Sequence, residues 1–418
     1  MKRKKLTASM IALVMSVSLP MTTYAANWYL EDGSVTVNAD NSGQTVTQGS
    51  TSTPDEAPVI TQRESSVETG NTIAISTSDN AAANVTIKDI NIKSSKDAID
   101  VTGSSSANIT LEGDNKIFSE TGSALHISDG NVTINGSGSL KAEIQDEPSG
   151  YNHNAKIGSH ENEDMSGSIH ITGDATVKTD DNIAPNCGGD GAGIGSGEDG
   201  EMSGNIVIDG NAQVEVSSND RGAGIGTGDD GNFRGSITID GNARVTAKAG
   251  GDHNGYDGSG IGTGDKGKFT GTVTIGGNAA VVASGSDEGC GIGSSDWKSM
   301  NGIIIIRDHA KVTAYAGNRG AAIGSEDDWD MTGKIIIVGN AIVNTGVVDD
   351  AGNVLSNRIG YIGGGENSNH DSSKGHYILG SDVTINSLNG SDTEALKQYV
   401  NMHLDSEGNP TNLTELDI

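Results

Sequence analysis

Gly235-Ser-Ile-Thr-Ile-Asp-Gly-Asn-Ala-Arg-Val-Thr-Ala247 decides how this chain is read. Ile237, Ile239, Ala243 and Val245 alternate with polar residues at a period of two. That is the pattern of strands with one buried face, and it does not fit an amphipathic helix. Gly241-Asn242 separates the two apolar pairs. Both residue types tolerate a left-handed backbone, so a tight bend between two short strands is expected.

The same unit recurs on either side. Ile-Gly followed by Ser or Thr occurs in full at Ile157, Ile194, Ile225, Ile261, Ile292 and Ile323, with a weaker copy at Ile362. Eight residues after each full copy stand Met165, Met202, Phe233, Phe269, Met300 and Met331, and a glycine follows two residues later. The unit is 31 residues long, and insertions of five or six residues fall only before the Ile-Gly. Two strands, a bend, a variable loop and a short Ile-Gly strand, stacked repeat on repeat, describe an all-β parallel β-helix with three short strands per coil. A pair of stacked β-domains is the competing architecture, and the unbroken register counts against it.

Upstream, a shorter version runs through Val85-Thr-Ile87, Ile109-Thr-Leu111 and Val132-Thr-Ile134, with Ala98-Ile99 and Ala124-Leu125 in the Ile-Gly position. The expected organisation is a signal peptide at 1–25, a leader at 26–70 that contributes a first coil or an N-terminal cap, a solenoid at 71–390, and a capping helix with tail at 391–418. About nine coils at the ~4.8 Å strand spacing give a rod on the order of 45 Å long. Leu396, Tyr399, Val400 and Leu404 would face the last coil, covering an open strand edge that otherwise invites association.

Composition narrows the function. The 418 residues hold 56 acidic and 26 basic side chains, 61 glycines and only 3% aromatics. Phosphate binding relies on Lys and Arg, so nucleic acid is a disfavoured partner. Lys2, Arg3, Lys4 and Lys5 precede an apolar stretch from Leu6 to Leu19, and Thr23-Tyr24-Ala25 offers small residues at a cleavage position. Cleavage there leaves a net charge of -34. No later apolar run approaches the ~20 residues of a membrane helix. The expectation is a secreted protein, soluble or held noncovalently at a cell surface. Cys187 and Cys290 fall in loops three coils apart, too far for the ~6 Å Cα separation of a disulfide.

Stacking turns each repeat position into a column. Glu161, Glu198 with Asp199, Asp229 with Asp230, Asp265, Asp296, and Asp327 with Asp328 follow the repeat isoleucines by four or five residues. Carboxylates ~5 Å apart repel by nearly 1 kcal/mol even in water, so the column calls for counterions. Ca²⁺, which takes hard oxygen ligands, is one reading; a solvated acidic edge is the other. Asn211, Asn242, Asn278 and Asn340, with Asp174 and His309 substituting, should form an amide ladder at the bend. Trp297 and Trp329 fall in the acidic turn, where an indole either stacks on a sugar ring or covers the Met and Phe ladder. The loops before the Ile-Gly strand carry Tyr151, His153, His253 and Tyr256, candidates for glycan contact because loops on a rigid scaffold commonly bind ligands.

Ala83-Asn-Val-Thr-Ile-Lys-Asp-Ile-Asn-Ile92, Lys96-Asp-Ala-Ile-Asp100 and Ala107-Asn-Ile-Thr-Leu-Glu-Gly-Asp-Asn115 resemble the carbohydrate-binding β-helix family of clostridia and related Gram-positive bacteria. The resemblance covers about residues 70 to 145. It implies a right-handed, pectate-lyase-like β-helix that binds calcium and plant polysaccharides without clear lyase activity. The Gly-Ala-Gly-Ile-Gly repeats from Ala155 to Gly365 are similar to those of large surface proteins of gut bacteria. Three functions follow as expectations: a non-catalytic, calcium-assisted polysaccharide binder, an adhesin or scaffold without a small ligand, and a polysaccharide lyase or hydrolase. Arg221, Arg244, Arg307 and Arg319 have no recognisable catalytic partner in the sequence, so the first is preferred.

Overall fold

The computed structural model describes residues 26–387 apart from 79, 104–105, 146–150, 180–188, 219, 251–257, 296–297, 327–330, 350–352, 354, 356–359 and 365–375. Three sheets of 12, 10 and 13 strands run the length of a parallel β-helix. One coil consists of Ser236–Ile239 in the first sheet, Arg244–Lys248 in the second and Ile261–Gly262 in the third. Each strand pairs in parallel with its equivalents in the coils before and after it.

The columns that define the repeat are single files. Ile157, Ile194, Ile225, Ile261, Ile292, Ile323 and Ile362 pair residue for residue. The file continues upstream through Leu125, Ile99, Ile73 and Val35. Met165, Met202, Phe233, Phe269, Met300 and Met331 form a second file, in which the Phe233 and Phe269 rings meet edge to face at 4.9 Å. All of these side chains are buried. A fully buried aliphatic side chain contributes about 1.5–3 kcal/mol. Because every coil adds the same few, a long rod can stand on a chain that is poor in aromatic residues.

The bend forms as the spacing predicts, but its two residues divide the work. Gly241 takes the left-handed backbone, at φ +66°, while Asn242 does not. Asn242 serves through its side chain, donating to Asn211 Oδ1 at 3.1 Å, and Asn278 donates in turn to Asn242 Oδ1 at 3.2 Å. Asn211 donates to Asp174, and Asn340 meets His309 Nε2 at 3.3 Å, so both substituted positions join the ladder, which runs in two stretches, 174–278 and 309–340.

Of the two roles expected for the leader, a first coil or a cap, the structure shows the first coil, and parallel winding starts before residue 71: Asn27–Tyr29 pairs with Val59–Thr61, and that strand pairs with Ala82–Lys88. Val35–Asp40 pairs in parallel with Ile73–Thr77. Residues 26–70 therefore supply the first coils. They also supply a hairpin, in which Gly43–Gln48 and Thr51–Pro54 extend the third sheet antiparallel at its N-terminal edge. Trp28, Leu30, Val35, Val37, Val46 and Ile60 of this segment are buried, and the buried Asp55 accepts the Trp28 Nε1–H at 2.9 Å. The edge strand ends at Pro54, which lacks an N–H to offer another chain.

At the other end, His376–Leu379 and Thr384–Ser387 are the last described strands. The signal segment 1–25 and the helix expected within 391–418 lie outside the described residues. Among the described residues, no helix is long and apolar enough to cross a membrane.

Candidate functional site

The turns after Ile157-Gly158, Ile194-Gly195 and Ile225-Gly226 are held by their own side chains, with Ser159 Oγ donating to the Glu163 carbonyl at 2.7 Å. Ser196 Oγ donates to the Gly200 carbonyl at 2.7 Å and Thr227 Oγ1 to the Gly231 carbonyl at 2.9 Å, which explains why Ser or Thr follows Ile-Gly. Asp199, Asp230 and Lys266 take the left-handed position that this turn requires.

The backbone then ties the turn to the preceding coil's loop. Glu198 N–H donates to the His153 carbonyl, Asp229 N–H to the Asp190 carbonyl and Asp265 N–H to the Arg221 carbonyl, at 2.9 to 3.0 Å. Consequently the residue four before one repeat isoleucine lies beside the residue four after the next. The all-acidic column Glu198, Asp229, Asp265 runs alongside a mixed column His153, Asp190, Arg221.

The acidic column is mixed in its exposure: Glu161, Asp199 and Asp230 are exposed, whereas Asp229 and Asp265 are not part of a solvated edge. Asp229 and Asp265 are 2% and 1% exposed, and the chain supplies cations beside them. Arg221 Nη1 lies 3.2 Å from Asp229 Oδ2, and Lys266 Nζ lies 3.2 Å from Asp265 Oδ2 and 3.7 Å from Asp229 Oδ1. Burial nevertheless pushes Asp229 to about 6, and burial with the Asp229 charge does the same for Asp265 against the opposing pull of Lys266.

These two groups favour the fold most when protonated. Their contribution is complete below the ordinary value of 3.8 and is lost as pH rises through about 6. Asp265→Asn, which keeps the shape and removes the charge, should raise stability at pH 7.5 by about 1–3 kcal/mol and change it little at pH 4. Urea melts of both proteins at the two pH values measure this; a loss at pH 7.5 would mean that the Lys266 pair outweighs desolvation.

A polar cleft of about 340 Å³ opens beside this network, lined by Glu120, Thr121, Gln145, Tyr151, Asn152, His153, Asn154 and Glu161. Tyr151 is 57% exposed, with its ring edge-on to His153 at 6.1 Å. The floor is rigid. Asn152 Nδ2 donates to the Gly122 carbonyl and Asn154 Nδ2 to the Thr121 carbonyl, each at 2.9 Å. Asn154 Oδ1 accepts the Glu161 N–H at 2.8 Å. Tyr151 and His153, both expected from the sequence, thus share one cleft. Glu198 approaches His153 from the metal-candidate column.

Trp297, Trp329, His253, Tyr256, Asp296, Asp327 and Asp328 lie outside the described residues, as does Cys187. Cys290 is a buried free thiol, and burial pushes its pKa up.

Sequence reading missed a second charged cluster. His126 and His160 stack with ring centroids 3.9 Å apart and planes within 5°. His126 Nδ1 lies 2.8 Å from Asp100 Oδ1 and Nε2 lies 2.8 Å from Glu163 Oε2; His160 Nε2 lies 2.7 Å from Asp97 Oδ1. Burial opposes the charge on His126, yet the two carboxylates raise it to about 9, so it is an imidazolium at neutral pH.

The signal was in the register. Asp100 and His126 occupy the column that is glycine from Gly158 onward, a departure that matters only once coils are aligned. Parallel stacked rings aim their nitrogen lone pairs along parallel planes, so this pair is poorly arranged to share one metal ion. Compared with protein-family models, curated proteins and solved structures, the chain has no match.

Proposed function

We propose that the protein is an exported, non-catalytic glycan-binding rod whose ligand sits in the Tyr151 cleft. The cleft carries this reading: an exposed aromatic ring stands beside fixed amide and carboxylate groups, the combination that stacks on a sugar ring and bonds its hydroxyls. The resemblance of residues 83–115 to carbohydrate-binding β-helices points the same way. Calcium assistance at the acidic turns is part of the proposal. On a glycan array with the full exported chain, Tyr151→Ala should weaken retention at least about ten-fold, and chelator should lower it in the parent. Unchanged retention in Tyr151→Ala would remove the cleft from the proposal.

A second location is favoured by one observation. On the outer face of the second sheet, Lys178, Arg244 and Lys311 flank a groove of about 490 Å³ floored by Thr246, Ala280 and Val282. Arg244 and Lys311 make no ion pair among the described residues, an unusual provision in a chain of net charge -30. An acidic polysaccharide suits such a surface through charge complementarity. Its retention should fall steeply with added salt and in Arg244→Glu/Lys311→Glu, while Tyr151→Ala leaves it unchanged.

A further inference from the structure

We propose that His153, Asp190 and Glu198 form a binding site for a first-row divalent metal ion of the Zn²⁺ type. The three residues come from two coils and are brought together by the hydrogen bond from Glu198 N–H to the His153 carbonyl. One donor atom from each lies within 4.8 Å of the others. His153 Nδ1 is 3.1 Å from Asp190 Oδ2 and 2.5 Å from Glu198 Oε2.

The independent observation is an unpartnered carboxylate oxygen: Asp190 Oδ1 is buried and makes no hydrogen bond. His153 Nδ1, a single donor shared between two carboxylates, is held as an imidazolium between them, so a metal ion takes the place of its proton. The Asp190 side chain is only 9% exposed, so water does not compensate it. Arg221 Nε, at 3.8 Å, neutralises Asp190 Oδ1 without bonding to it.

One imidazole and two carboxylates identify the class of ion. Imidazole nitrogen is a favoured ligand of Zn²⁺ and its first-row neighbours, whereas Ca²⁺ takes six to eight oxygens. Tetrahedral donors around an ion at 2.0–2.1 Å stand about 3.3 Å apart, so the observed contacts need to open by less than about 1 Å. His153 also lines the Tyr151 cleft, which places a bound ion at the cleft wall. The metal site stands or falls separately from glycan binding there.

The test is titration calorimetry of the untagged, chelator-treated full chain with ZnCl₂ in excess Ca²⁺. One site of micromolar or tighter affinity is expected. His153→Ala, and separately Glu198→Gln, should weaken it at least ten-fold, while His160→Ala and Tyr151→Ala leave it unchanged. Co²⁺ substitution gives a second readout, with visible d–d absorption in the parent and none in His153→Ala. Circular dichroism confirms that each variant is folded, and Asp190→Asn replaces any that is not. Zn²⁺ binding that is equal in parent and His153→Ala, loss in His160→Ala, or competition by millimolar Ca²⁺ would each overturn the assignment.

Discussion

Gly226→Ala should destabilise the rod by more than about 4 kcal/mol, as should the same change at the equivalent Gly158 or Gly195. Gly226 follows a repeat isoleucine with φ +143°, a region that L side chains rarely adopt. A Cβ built there would lie 1.8 Å from the Gly262 carbonyl oxygen of the next coil, well inside any contact distance. Relief requires the two coils to separate. Separation breaks the Ile225–Ile261 pairing and the hydrogen bond from Ile225 N–H to the Gly260 carbonyl.

In a stacked-repeat protein the loss is felt at one interface, so cooperativity should fail there first. Urea unfolding should show a lowered midpoint or a split transition, with new proteolytic cleavage near residue 226. Gly70→Ala is the control. Its nearest neighbour would be the Lys93 carbonyl at 3.9 Å and its φ is not left-handed, so less than about 0.5 kcal/mol is expected. A Gly226→Ala variant that melts like the parent would mean that the coils can part at this column without cost.

The second large effect is pH-dependent and belongs to His126. The groups facing it are Asp100 and Glu163 at its two nitrogens and His160 against its ring, with Asp97 bonded to His160. Asp100 and Glu163, working against burial, raise His126 from 6.5 to about 9, which corresponds to about 3 kcal/mol of native-state stabilisation. That contribution is complete below pH 6.5 and is lost as pH rises through about 9.

The carboxylates respond in the opposite direction. Burial raises Asp97 and Glu163, but the hydrogen bond with His160 for Asp97, and with His126 for Glu163, holds each below its ordinary range. Their contribution is present above about pH 4.5 and is lost as pH falls through the lowered values. Stability from this cluster should therefore be greatest between about pH 4.5 and 6.5. Urea melts from pH 4 to 10 should show the decline toward pH 9 in the parent and its near absence in His126→Ala. At pH 6 that variant should be about 3 kcal/mol less stable, because it leaves carboxylates without their cation. An equally steep decline in His126→Ala would assign the effect to other groups.

How much was legible in the sequence follows from what kind of regularity each feature has. The file from Ile157 to Ile362, the Met and Phe file, and the Asn ladder were readable because a solenoid repeats its contacts at a fixed interval. Whether the 26–70 segment winds or only caps was not, since it repeats nothing and its buried Trp28, Leu30 and Ile60 follow no fixed interval. Within the Tyr151 cleft, the loop position of Tyr151 and His153 was readable, but not that Asn152 and Asn154 would fix its floor.

By itself the sequence determined the parallel β-helix and its columns, because period-two burial and equal spacing leave one way to stack. Only the tertiary structure decided which charges meet. His153 with Asp190 and Glu198, Arg221 with Asp229, and the stacked His126 and His160 are each assembled from different coils. The offset between a loop and the next coil's turn is set by backbone hydrogen bonds across coils, and the pattern of hydrophobic residues does not encode it.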